Sequence, residues 1–243
     1  MQKLTNTSWA QLTGEGAAIV VSILLAFAID AWWEERAVRI EEQQVLQGLR
    51  SEFLATRDVL TGHLSEHLHY INVFEEFLST AGDGDADSDG AIVDATLNVL
   101  LNPPTSDVGN GTLEALLSSG RIEILSNKTL RAKLAAWEGV MDEVLDDQVL
   151  NVKSVFEIHI PYFVANNIPA GGTMHQWYDD WPLPRRQPSD DPELVKRVLG
   201  DESLRVMVEI NYGYKRHLTE EFEIAIAEVD AILREIDSSI AHH

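Results

Sequence analysis

Three stretches carry residue types at spacings that could do chemistry. The first is Asp85-Ala86-Asp87-Ser88-Asp89-Gly90, with acids at alternate positions and a glycine sixth. That is the opening of an EF-hand loop, where calcium needs an oxygen cluster wrapped on a tight turn. The twelfth position should supply a bidentate acid, but Thr96 stands there. The expectation is therefore a solvated acidic loop, in which Asp85, Asp87 and Asp89 are the residues that would hold a weakly bound Ca2+. The second stretch is His63-Leu64-Ser65-Glu66-His67, the inverted zinc-hydrolase pattern. Two imidazoles four apart share one helix face, as zinc would require. His69 nearby makes the region simply histidine-rich, and nothing downstream picks out a third ligand. The expectation is a pair of surface or bundle-facing histidines, with zinc hydrolysis as the alternative. The third is the loop 174–186, which gathers Trp177, Tyr178, Trp181, Arg185 and Arg186. These residue types dominate binding hot spots, so the loop is the expected partner contact. The competing reading folds it back as a lid on the end of the bundle.

The remaining inventory is thin. No phosphate-cradling glycine loop, nucleophile elbow or haem-attachment motif occurs, and the chain has no cysteine, which removes disulfide, thiolate-zinc and cysteine-nucleophile chemistry. Pairs such as Asp146-Asp147 and Glu220-Glu221 are what a chain with 40 acidic residues shows by chance. Against only 18 Lys and Arg, those acids give a formal net charge of -22 over 243 residues. Such a charge opposes nucleic acid and anionic lipid headgroups as ligands, and suits a basic protein partner. No enzymatic activity is expected, and no cofactor beyond the weak calcium loop.

The elements that position these stretches begin with an apolar run. Residues 17–33 read AAIVVSILLAFAIDAWW, with Asp30 the only charge. That length sits at the lower limit of the ~20 residues a bilayer span takes. Asp30, Trp32 and Trp33 stand where a polar and aromatic membrane rim belongs. The Ala26-Phe27-Ala28 triplet has the form of a signal-peptide cleavage site, but the n-region before the run carries a single lysine. The reading is a retained single-pass anchor, so the chain divides into an N-terminal segment (1–16), a transmembrane anchor (17–33) and an acidic helical domain (34–243).

Gly14-Glu15, the apolar run and then Ile29-Asp30-Ala31-Trp32-Trp33-Glu34-Glu35-Arg36 resemble a family of small bacterial single-pass membrane proteins, whose shared start is Gly-Glu, an apolar stretch and Ile-Asn/Asp-x-Trp-x-Glu-Glu-Arg. A second similarity is Thr112-Leu113-Glu114-Ala115-Leu116-Leu117-Ser118-Ser119-Gly120, followed by Ile124, Asn127, Leu130 and Leu134. The resemblance covers roughly the first 135 residues. It implies a bacterial inner-membrane location with the large domain on the periplasmic side. This chain departs from the family in its second tryptophan and its less basic N-terminus.

Beyond the anchor, residues 31–80 lack proline, and apolar residues recur from Ile40 to Leu78 at three-to-four spacing, predicting one long amphipathic helix. Short helices are predicted at 91–101 and 112–119, the second ended by Gly120. A second long helix is predicted over 127–160, with Pro161 as its kink or end. Pro192 opens another short helix, and 203–236 forms the third long one, with Ile210 and Tyr214 on its apolar face. The fold class is all-α: an N-terminal transmembrane helix continuing into an antiparallel bundle of three long helices with short intervening helices. The expected function is a non-enzymatic, membrane-anchored accessory or scaffold subunit of a larger bacterial membrane complex. Its partners would be the membrane and other protein subunits, and electron-transfer or photosynthetic assemblies are suitable hosts. The alternatives are a ligand-binding sensor that needs a signalling partner, and a zinc hydrolase acting through His63, Glu66 and His67.

Overall fold

The computed structural model describes residues 9–80, 89–105, 108–169 and 186–241, with side chains described from Ile19 onward. The described residues are mostly helical, with no strand among them. Helix α1 runs unbroken from Trp9 to Thr80. Gly90–Leu101 (α2) and Gly111–Ser118 (α3) follow, and then a 3-10 turn at Arg121–Ile124. Helix α4 spans Lys128–Ser154, a π-helical turn covers Val155–His159, and α5 continues over Ile160–Ala165. After a 3-10 turn at Pro188–Asp190 come α6 (Pro192–Leu199) and α7 (Glu202–Ala241).

The three long helices bury a heptad seam. On α7 buried positions 204, 208, 211, 215, 218, 222, 225, 229, 232, 236 and 239 alternate steps of four and three, with Thr219 and Leu233 buried beside them. Helix α1 does the same at 42, 46, 49, 53, 56 and 60, resuming at 67, 70, 74 and 77, with Ile71 and Val73 buried beside that seam. Helix α4 repeats the pattern at 130, 134, 137, 141, 144, 148 and 151. A period of 3.5 keeps one seam facing its neighbours along the full length, as in a coiled coil. Cross-links give the directions. Arg50 pairs with Asp237 at 2.7 Å, Arg57 with Asp230 at 2.8 Å, and Tyr212 donates to Glu75 at 2.8 Å, so α7 runs antiparallel to α1. Asn127 donates to Glu235 and Lys133 pairs with Glu228, both at 2.9 Å, which sets α7 antiparallel to α4 as well. Helices α1 and α4 therefore run the same way.

Two apolar clusters fill the bundle. The first joins α1, α3, α4 and α7 around Phe53, Trp137 and Phe222, and the second joins α1, α2, α5, α6 and α7 around Phe74, Phe77 and Phe163. Carboxylates on α1 lock the crossing segments. Glu52 accepts from the Thr112 and Leu113 N–H groups at 2.6 and 3.1 Å, capping α3 from another helix. Gly48 lets α3 approach, since a Cβ there would meet Thr112 Cγ2 at 3.1 Å.

Several expectations need correcting. The three-to-four stripe assigned Ile40 and Leu68 to the core face of α1 and Ile210 to that of α7, but all three are exposed. Heptad phase gives the inner positions to Asn211 and Lys215 instead. Pro161 does not end its helix: the chain runs from the π turn straight through the proline into α5. Among the described residues no helix is long and apolar enough to cross a membrane, so the expected span at 17–33 is not shown; that run starts ahead of Ile19, where the described side chains begin. Its described part is nonetheless distinctive. From Ile19 to Ile40 every residue of α1 is exposed, and the first buried residue of this described stretch is Glu42.

A buried polar layer and its cleft

Between the two apolar clusters the heptad positions turn polar. His67 on α1, Gln148 and Asn151 on α4, His159 on the π turn, and Asn211 and Lys215 on α7 are all buried. A polar residue at a core position costs stability and fixes register, and here each helix of the bundle supplies at least one.

Lys215 is 2% exposed, and among the described residues its Nζ has no hydrogen-bond partner. It lies 5.5 Å from the Tyr70 ring centroid, a cation–π distance. Burial pulls its pKa down to about 7, against a smaller upward pull from Glu66. His67 sits against Phe222, ring centroids 5.2 Å apart, and neither ring nitrogen has a described partner. Burial first, then the Lys215 charge, lowers its pKa to about 3. Glu66 is engaged elsewhere: it accepts from Tyr70 Oη at 2.6 Å and lies 3.6 Å from His63 Nδ1. The His63-x-x-Glu66-His67 pattern thus places one imidazole in an apolar seam beside an amine, not in an open ligand fan.

His159 is more fully determined. Its Nδ1 lies 2.7 Å from the Leu100 carbonyl, which can only accept, so Nδ1 carries the proton. Nε2 then accepts from Asn211 Nδ2 at 3.2 Å, and the same amide donates to Met207 O at 2.8 Å. Burial lowers the His159 pKa and keeps the ring neutral. The π turn is what delivers this residue. Its wider i→i+5 ring inserts one extra position and rotates His159 inward from the α4 register.

Beside this layer opens a cleft of about 330 Å3 between α4 with its π turn and α7. Leu150, Ile158, Val206, Met207 and Ile210 wall it, and Asn151, His159 and Asn211 line it. A second constellation lies nearby. Asp147 Oδ2 and Glu221 Oε1 stand 3.6 and 3.2 Å from His217 Nε2, and one ligand atom from each of the three residues falls within 4.8 Å of the others. Burial and the Asp147 charge raise the Glu221 carboxyl. These are the described residues with the spacing to hold a divalent cation, although His217 itself is open to solvent.

The sequence-predicted positions fare differently. Asp89 stands at the N-cap position of α2 without a side-chain cap bond, while Thr96, the would-be twelfth ligand, is buried in that helix. Asp85 and Asp87 lie outside the described residues, as do Trp177, Tyr178, Trp181 and Arg185; Arg186 is described and exposed. Asp30, Trp32 and Trp33 are exposed on the projecting part of α1, the two indoles edge-on at 5.3 Å and Arg36 over the Trp32 ring at 5.8 Å. Sequence reasoning missed Asn151, His159, Asn211 and Lys215. Continuing the four-three steps from Leu218 and Phe222 back through Leu204 and Val208 would have reached the last two. No protein-family model matches the chain, and no curated protein or solved structure matches it either.

Proposed function

We propose that the chain is a non-enzymatic, membrane-anchored accessory subunit of a larger bacterial membrane complex, fixed to the bilayer through residues 17–33 and recognising neighbouring subunits with its helical bundle. One observation carries this reading: α1 leaves the bundle and continues as a helix whose apolar side chains, Ile19 to Trp33, are exposed all round. A helix apolar on every side and packed against none of the described residues calls for lipid or another protein around it. The Trp32 and Trp33 pair, Arg36 beyond it and Asp30 one turn inside suit a headgroup boundary, and the Gly-Glu start shared with small single-pass proteins supports a periplasmic bundle.

The bundle offers a surface for a neighbour. Leu145, Val149, Phe156, Ile160 and Val164 are exposed in succession along α4, the π turn and α5. A protein that meets only water rarely lines one helix face so. The acidic remainder favours a basic partner around that stripe, as electron carriers often are.

Purification from native membranes in mild detergent tests the proposal. Larger subunits should co-purify in fixed ratio, and Val149→Glu with Phe156→Glu should release them, because both side chains are solvent-facing and their replacement leaves the core intact. A monodisperse lone protein from the same membranes overturns it.

A further inference from the structure

We propose that the cleft between α4 and α7 is a binding site for a small neutral molecule, mostly apolar, that presents one carbonyl-type acceptor to the Asn151 side chain. The site does not need the chain to be an accessory subunit, although the case against a bilayer lipid rests on the anchor proposed above.

Nearly every buried polar group around the cleft is already engaged. His159 spends Nδ1–H on the Leu100 carbonyl and Nε2 on Asn211, whose amide also donates to Met207 O. Ser154 Oγ donates to the Asn151 backbone carbonyl at 2.7 Å, and the Tyr214 hydroxyl donates to the Asp147 carbonyl. Asn151 remains. Its side chain is buried, it lines the cleft, and among the described residues its Nδ2 has no partner. Leaving a buried donor unmade is costly, and buried amides in native proteins nearly always find an acceptor. A ligand in the cleft supplies one.

The surroundings set the ligand's class. No charged side chain among the described residues lines the cleft, so a carboxylate or phosphate would lose its hydration with no cation in return. The overall charge of -22 and the nearby Asp147 oppose an anion further. An amide N–H cannot receive a cation's proton, which leaves a neutral acceptor such as a ketone. Leu150, Val206 and Ile210 form the apolar rim. A volume of about 330 Å3 is at the small end for ligand sites, enough for one or two fused rings. Location argues against a bilayer lipid. His67, in the adjoining layer, lies roughly 50 Å along the helix axis from Trp33 at 1.5 Å per residue. The ligand therefore arrives through water.

Equilibrium dialysis of the full chain in lipid nanodiscs, corrected against empty nanodiscs, tests this with three shape-matched probes: 2-acetonaphthone, 2-isopropylnaphthalene and 2-naphthoate. The ketone should bind about tenfold tighter than the hydrocarbon, the worth of one buried hydrogen bond, and the carboxylate should not bind. Asn151→Leu should bring the ketone down to the hydrocarbon's affinity and leave the hydrocarbon unchanged. Ile210→Trp, at the exposed rim, should block both neutral probes while the protein keeps its circular dichroism. Equal binding of ketone and hydrocarbon by the native chain overturns the proposal, as does tightest binding of the carboxylate or no binding of any probe. Should Asn151→Leu fail to fold, the native ketone preference and its loss in Ile210→Trp decide the matter, and a preference surviving either folded variant places the site elsewhere.

Discussion

At the scale of single residues, the bundle is defined by bases that burial discharges. Lys215 and His67 lie in one seam; burial lowers both, and the Lys215 charge lowers His67's tendency to hold a proton further. Both are bases whose folded pKa falls below the unfolded one, so across the window between the two values the unfolded chain binds more protons. Unfolding free energy therefore rises with pH from about 3 to 6.5 on account of His67, and from about 7 to 10.5 on account of Lys215. Replacing Lys215 with methionine keeps the volume and removes the amine. We expect Lys215→Met to be more stable at pH 7 by about 2–4 kcal/mol, with the alkaline rise flattened and the acidic one retained. Chemical unfolding at a series of pH values checks this. A destabilised Lys215→Met would mean that the amine has a partner which pays for its burial.

At the scale of elements, the fold depends on helices that hold one another's ends. Asn127 caps α4 by accepting from Leu130 N at 3.1 Å while its amide donates to Glu235 and Ser239 of α7. Glu52 does for α3 what no residue of α3 does for itself, since Asn110 at its N-cap makes no side-chain cap bond. Glu52→Ala should cost about 1–2 kcal/mol, the worth of a cap, and should speed amide exchange at Thr112 and Leu113 ahead of the rest of the bundle. Uniform exchange across α3 and α1 in that variant would refute the local role. Much of this architecture was legible. The short helices start and stop within a residue or two of their Gly and Pro signals, and the long ones were visible from apolar spacing alone. The candidate site was not, because its residues are the polar ones that an apolar count skips. Ile210 looked like core and Asn211 like surface. Their exchange follows from a phase set by packing on α1 and α4, which a single helix does not disclose. The π turn was equally hidden, for Pro161 resembles a helix end until the extra residue before it is seen.

At the scale of the whole molecule, the chain separates its tasks along one helix. Among the residues with described side chains, those that pack begin at Glu41 and Glu42, while the segment from Ile19 to Ile40 buries no residue and adds nothing to the core. The bundle, for its part, is so acidic that adsorption to anionic headgroups is repulsive, and any hold on a membrane must come from apolar contact through the projecting helix. These two facts lead to a paired expectation. The full chain should stay in the membrane pellet through high salt and alkaline carbonate and leave it only with detergent. A chain beginning at Ile40 should remain in the supernatant and melt within a few degrees of the full protein, since the described residues it lacks, from Ile19 on, are all exposed. Circular dichroism and pelleting report both halves. Release of the full chain by salt alone would show that charge, not the apolar helix, is what holds the protein in place. A large drop in melting temperature on truncation would show that the projecting segment packs against the bundle.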